Sequence, residues 1–202
     1  MAELLAAGLV IKSDRGGYYD RFRGRLMFPQ LSYSGKMVGF SGRSLEKDAK
    51  EAKYINSPET DYYHKSEILF GLNLAKKAIR DKQRIILMEG EFDVISSHQI
   101  GLKEAVAIKG SAVTAEQAAL IRRLTHNLVL ALDADAAGQE AMKRGIGVCE
   151  VQALNLRVAE FSGGKDPDEI ARTNPQQLKQ AVNNAEAVYS YLIGLAMRKQ
   201  DI

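Results

Sequence analysis

Three features of these 202 residues predict an α/β fold whose core has about four mainly parallel strands flanked by helices. From Gln83 onward, short apolar runs alternate with helical patterns, the signature of a parallel sheet joined by crossover helices. The run from Leu128 to Leu132 lacks polar alternation, as expected for a strand covered on both faces. Three of the runs end on acidic residues, at the edge where open parallel sheets bind ligands. Residues 1–82 read as a basic, mixed α/β subdomain ahead of this core (83–170). Residues 171–202 read as the start of a short, truncated helical C-terminal subdomain.

With 46% hydrophobic and 26% charged residues, the chain has an ordinary globular composition and can build a sizeable core. No apolar stretch approaches the roughly 18–20 residues of a membrane span. Glu3 and the short apolar run behind it do not suit a signal peptide, so a cytoplasmic location is expected. The single Cys149 excludes an intramolecular disulfide and reads as a small core residue. With only His64, His98 and His126, scattered along the chain, no zinc site is expected. The net charge of +3 hides an asymmetry. Residues 1–82 carry 15 Lys and Arg against 10 Asp and Glu, whereas residues 83–202 carry 13 against 15. A basic half joined to a half with clustered carboxylates suits a polyanionic substrate that meets metal ions.

Taken in order, residues 3–9 form a short helix stopped by Gly8, and Asp14-Arg15-Gly16-Gly17 marks a turn. Arg21, Arg23 and Arg25 then alternate around Phe22. Leu26-Met27-Phe28 reads as a strand ended by Pro29, and Ser34-Gly35 as a hairpin turn into the strand 37–40. The arginines are either a solvated basic face or a binding surface. Asn56-Ser57-Pro58 fixes a turn flanked by Lys53, Lys65 and aromatic neighbours. Lysine and asparagine suit phosphate and sugar or base edges, respectively. An amphipathic helix follows over 73–81, with Lys76, Lys77 and Arg80 on its outer face.

In the core, strand 84–88 runs into Glu89-Gly90 and a helix over 91–99. Strand 104–108 follows. Thr114 and Gln117 form a capping box that opens a helix through Leu124. The third strand, 128–132, ends on Asp133-Ala134-Asp135 and is followed by an alanine-rich helix over 136–148. In extended chain, positions i and i+2 face one side, so Asp133 and Asp135 can point at one place. By itself this pair is either a divalent-metal site with hard oxygen ligands or a turn that caps the next helix. The fourth strand, 155–159, leads toward Asp166 and Asp168. Glu89, Asp133, Asp135, Asp166 and Asp168 thus reach neighbouring strand ends, where they would repel one another without a cation. That points to Mg²⁺ or Mn²⁺ serving phosphoryl or nucleotidyl transfer. Asp93, a helical turn beyond Glu89, is either a group supporting the ligands or an ordinary first-turn acid.

Glu89-Gly90-x-x-Asp93 after a buried strand, followed by Asp133-x-Asp135 with Ala137-Gly138 behind it, resembles the Toprim domain. The flanking motifs are similar to the RNA-polymerase domain of bacterial DnaG-type primases. They are Tyr19-Asp20-Arg21-Phe22, Arg25-x-Met27-Phe28-Pro29, Gly39-Phe40-Ser41-Gly42-Arg43, residues 53–60, His64-Lys65, Leu69-Phe70-Gly71-Leu72 and Lys165-Asp166-Pro167-Asp168. The resemblance implies synthesis of short RNA primers from NTPs on a single-stranded DNA template, with Mg²⁺ or Mn²⁺ as cofactor. Glu89 would then be the key catalytic acid. Asp133 and Asp135 would hold metal, and Asp166 and Asp168 would complete the cluster. Arg25, Arg43, Lys53, Asn56 and Lys65 would meet nucleotide and nucleic acid. The family's zinc-binding, opening polymerase and helicase-binding regions are not among these residues, so the chain is expected to be a fragment. A replicative helicase would be engaged through a domain outside it. Glu91 stands where the family usually has an aromatic or other bulky residue, and 109–114 only approximates its Gly-Thr loop.

Overall fold

The computed structural model describes residues 1–46, 52–110, 112–132, 136–161 and 166–200. Asp133 and Asp135 lie outside the described residues, as does the stretch 162–165. The chain divides into two compact units, Met1–Ile68 and Leu69–Ile202.

The first unit opens with α1 (Ala2–Ala6) and a two-stranded antiparallel ribbon of β1 (Val10–Lys12) and β2 (Tyr18–Asp20). Its main element is an antiparallel sheet of β3 (Arg25–Leu31), β4 (Met37–Ser44) and β5 (Tyr54–Asn56), in that order. Two sequence expectations change here. Pro29 does not end its strand but sits within β3, opposite Phe40. β3 is an edge strand, where a missing N–H need not break a ladder. Tyr54-Ile55-Asn56 forms a third strand against Ser41-Gly42-Arg43, so the turn begins only after Asn56. Two glycines are fixed by close packing. A Cβ at Gly39 would lie 2.8 Å from the buried Tyr63 ring, and one at Gly8, where φ is +67°, only 2.3 Å from Pro58.

The second unit has a five-stranded sheet in the order β10 (Glu186–Ala187), β9 (Asn155–Val158), β8 (Asn127–Leu130), β6 (Ile85–Met88), β7 (Ala105–Ala107). The four strands β6 to β9 are parallel, as the apolar runs predict, and β10 adds an antiparallel edge. Alternate strand residues face opposite ways, which yields two cores. Ile85, Leu87, Leu128, Leu130 and Leu156 pack with α2 (Leu72–Lys82), α4 (Ala115–Arg122), α5 (Ala136–Val151) and α8 (Val188–Gln200). Ile86, Met88, Val129 and Ala131 pack with α3 (Glu91–Gln99), α6 (Pro167–Thr173) and α7 (Pro175–Asn183). The predicted helices recur within a few residues of these bounds. Helix α6 and strand β10 were not foreseen. Among the described residues no helix is long and apolar enough to cross a membrane.

This strand order has one switch point. From β6 the chain steps to β7 on one side, then crosses to β8 on the other and continues to β9. Helix α3, after β6, joins one core, while α5, after β8, joins the other. The helices therefore diverge at the carboxyl ends of β6 and β8, opening the crevice where such sheets bind ligands.

Candidate active site at the switch point

Register brings the strand ends level. Leu87 lies beside Leu130, and Leu130 beside Val158. Hydrogen bonding continues past the strands: Ala131 N–H donates to Leu87 O at 2.8 Å, and Ala159 N–H to Leu130 O at 2.9 Å. On the other flank Ile108 N–H donates to Met88 O, and Lys109 N–H to Glu89 O, each at 3.1 Å. The backbone of Glu89 is thus held at the tip of the inner strand β6, and the residue is half-buried.

Asp93 organises the turn that follows. It is buried, occupies the third position of α3, and accepts a hydrogen bond from Gly90 N–H at 2.9 Å through Oδ2. This is the reach-back half of a capping box. Through Oδ1 it accepts the main-chain N–H of Asp168, at 3.2 Å, in the first turn of α6. One buried carboxylate thereby ties Gly90, in the turn after β6, to Asp168, brought in from beyond β9. Asp93 is thus a first-turn acid that also reaches the backbone of Asp168.

The two acids after β9 have local partners. Asp166 is exposed and caps α6, accepting Glu169 N–H at 2.7 Å through Oδ1, with Pro167 in the first helical turn. One Asp168 oxygen accepts from the buried Ser96 hydroxyl, and the other lies 2.7 Å from Arg172 Nη2. Ser96 was not anticipated, because nothing in its spacing marks it as the partner of a distant acid, whereas Arg172 stands four residues after Asp168, the spacing of a helical ion pair, and was not singled out. Among the described residues no three His, Cys, Asp or Glu side chains form a ready metal cage. The donors that reach this edge are nonetheless oxygen atoms of carboxylates, which suits a hard divalent cation rather than zinc.

The basic candidates belong to the first unit and behave differently from one another. Arg25 is 9% exposed, and its Nη1 donates to the carbonyl of Ala52 at 2.9 Å and to those of Gly42 and Lys53 at 3.4 Å. Its cation orders the segment entering β5. Arg43 stands opposite Tyr54, with its guanidinium carbon 5.7 Å from the ring centroid and Nη1 3.3 Å from the hydroxyl. Asn56 is half-buried, and its carbonyl accepts from Arg21 Nε at 3.0 Å. Lys53 and Lys65 are exposed, and Lys65 N–H donates to Glu59 Oε1 at 3.0 Å. Arg21 is therefore a further cation tied to the nucleotide-binding candidates, legible in the Arg21-Phe22-Arg23 alternation although not singled out there.

A doubly covered parallel sheet with acids at its switch point defines the second unit as a Toprim-like module, and a Toprim-like family model matches residues 86–171. A second model, the DNA primase catalytic core N-terminal domain, matches residues 1–76. The chain belongs to the DNA primase family, within its catalytic core. It is 40% identical over 202 residues to the DNA primase of Clostridium acetobutylicum, covering 99% of this chain and 33% of that protein. The chain thus spans about a third of the length of that curated relative. A DNA primase domain from Pseudomonas aeruginosa superposes with a TM-score of 0.88 at 33% identity, covering 98% of this chain and 63% of that one. A DnaG primase catalytic domain bound to single-stranded DNA gives 0.86 at 32% identity, covering 98% and 62%.

Proposed function

We propose that this chain carries out template-directed synthesis of short RNA primers from NTPs on single-stranded DNA, by Mg²⁺-dependent nucleotidyl transfer. The observation that carries this reading is that Asp93 ties Gly90, in the turn directly after Glu89, to the main chain of Asp168 at the switch-point crevice. The relative solved with single-stranded DNA supports the choice of template.

Glu89, Asp133 and Asp135 would hold the cation, with Asp166 and Asp168 completing the acidic cluster. When bound, Mg²⁺ or Mn²⁺ lowers the pKa of the attacking 3′-hydroxyl and stabilises the leaving pyrophosphate. The chain's own residues supply position and countercharge. Asp93 fixes the turn behind Glu89, so the carboxylate is aligned before substrate arrives. Arg43, Lys53 and Lys65 offset phosphate charge, and Asn56 offers a polar edge to sugar or base. Arg25 contributes indirectly, by ordering the carbonyls that lead to Tyr54.

The test is NTP polymerisation on single-stranded DNA with Mg²⁺ or Mn²⁺, for the wild type and Asp133→Asn. RNA products that depend on template and are lost in Asp133→Asn support the reading. Cleavage of nucleic acid without synthesis would assign a Toprim nuclease instead. DNA binding with neither activity would leave only a binding module.

A further inference from the structure

Lys109 lies beside the proposed centre without belonging to its acidic cluster. Its backbone is left-handed, with φ at +54°, a region that a long side chain enters at a conformational cost. Its side chain is 5% exposed, and Nζ lies 2.8 Å from Oε1 of Glu91, which is 4% exposed. The contact is ionic and lacks the alignment of a hydrogen bond. The main-chain N–H of Lys109 donates to Glu89 O. One residue therefore grips the β6–α3 turn twice, by backbone at Glu89 and by charge at Glu91.

Burying both charges carries a desolvation penalty that an apolar pair of similar volume would avoid, so stability is a poor reason for the arrangement. Location offers a better one. Glu91 is the second residue after Glu89, and uncompensated it would add a negative charge directly behind the metal-binding carboxylates. Local field strength sets how tightly such a centre holds a divalent ion, and both over-tight and weak binding hinder turnover.

We propose that Lys109 and Glu91 form a positioning pair that fixes the Glu89 turn and cancels the charge of Glu91, setting the divalent-ion affinity of the centre. The proposal rests on the reading of this edge as a metal-assisted nucleotidyl-transfer site. Lys109 acts through Glu89 and Glu91 rather than on substrate.

The test is Mn²⁺ binding to the whole chain at pH 8, followed by electron paramagnetic resonance of the free ion, with melting temperatures recorded alongside. Lys109→Met is expected to tighten Mn²⁺ binding by about 5- to 20-fold, and Glu91→Gln to weaken it by a similar factor. That is the scale of one unit charge acting on a divalent ion in a dielectric between protein surface and water. The double variant returns to within about twofold of wild type. Opposite shifts that cancel cannot come from a folding defect, which would weaken binding in both single variants. Weakening in both, in step with lower melting temperatures, would overturn the proposal and leave a purely structural pair. If Lys109→Met does not fold, Glu91→Gln decides: weaker binding at an unchanged melting temperature supports the pair, and unchanged binding overturns it. Glu89→Gln is the control for the underlying reading. If Mn²⁺ binding is indifferent to that change, the metal centre itself is wrong and the proposal falls with it.

Discussion

Asp93 accepts the main-chain N–H of Asp168, 75 residues later in the chain, while its other oxygen holds Gly90. One buried carboxylate thus closes the turn behind Glu89 and docks α6 on α3. Hydrogen bonds to a charged group are worth about 1.5–3 kcal/mol each. Asp93→Ala is expected to destabilise the second unit by roughly 2–4 kcal/mol, allowing for partial compensation by water. Chemical denaturation measures this. Asp93→Asn keeps the shape and at least one acceptor, so it should lose about half as much. Equal losses in the two variants would contradict the charged role.

His98 links α3 to β7 through Nε2, 3.0 Å from Ala105 O. Burial lowers its pKa below the ordinary 6.5, reinforced by Lys103 and opposed by the Ala105 hydrogen bond and by Glu104. The folded state therefore binds the proton less readily than the unfolded chain. This contribution to stability is complete above pH 6.5 and is lost as pH falls through the lower folded value. Melting temperature should drop on acidification below pH 6.5, and His98→Gln should flatten that part of the profile.

Cys149 is a core-facing residue of α5, and burial pushes its thiol up to about 11, with a further contribution from Glu150. Thiolate is the reactive form. At pH 8 the native chain should resist a thiol reagent, whereas in denaturant one thiol per chain should react promptly. Fast labelling of the folded protein would contradict the packing of this helix.

Lys53 and Lys65 are exposed and belong to the predicted nucleic-acid surface. Replacing either with alanine should weaken single-stranded DNA binding and reduce the slope of log affinity against log salt by about 0.7. Fluorescence anisotropy across a salt series reads this out. Arg25→Ala should act differently, lowering the stability of the first unit because its guanidinium is spent on backbone carbonyls.

Much of this architecture was legible in the residues. Strands β6, β7 and β8 announced themselves as apolar runs, and Thr114 with Gln117 marked the start of α4, where both capping bonds form. What escaped prediction depended on tertiary context. Pro29 stays within a strand only because β3 is an edge, and an isolated sequence cannot show edges. Strand β5 is three residues long and takes its identity from pairing with β4. At the site, five acids were grouped by strand end alone. That view missed the Asp166 cap, which is a local contact at the start of α6, and the Ser96 contact of Asp168, which arises only after α6 has docked on α3. It also noted Glu91 as a departure without its partner, since the pairing with Lys109 depends on β6 and β7 lying side by side.

The proposed function requires Glu89, at the tip of β6, for nucleotide joining. The most direct measurement is incorporation of labelled NTP on single-stranded DNA by wild type and Glu89→Gln, at matched DNA occupancy. Wild type should incorporate nucleotide, and Glu89→Gln should lose at least about 100-fold, the scale of removing one electrostatic group from a reacting centre. Single-stranded DNA affinity and melting temperature should stay nearly unchanged. Incorporation that survives Glu89→Gln would contradict the proposed function.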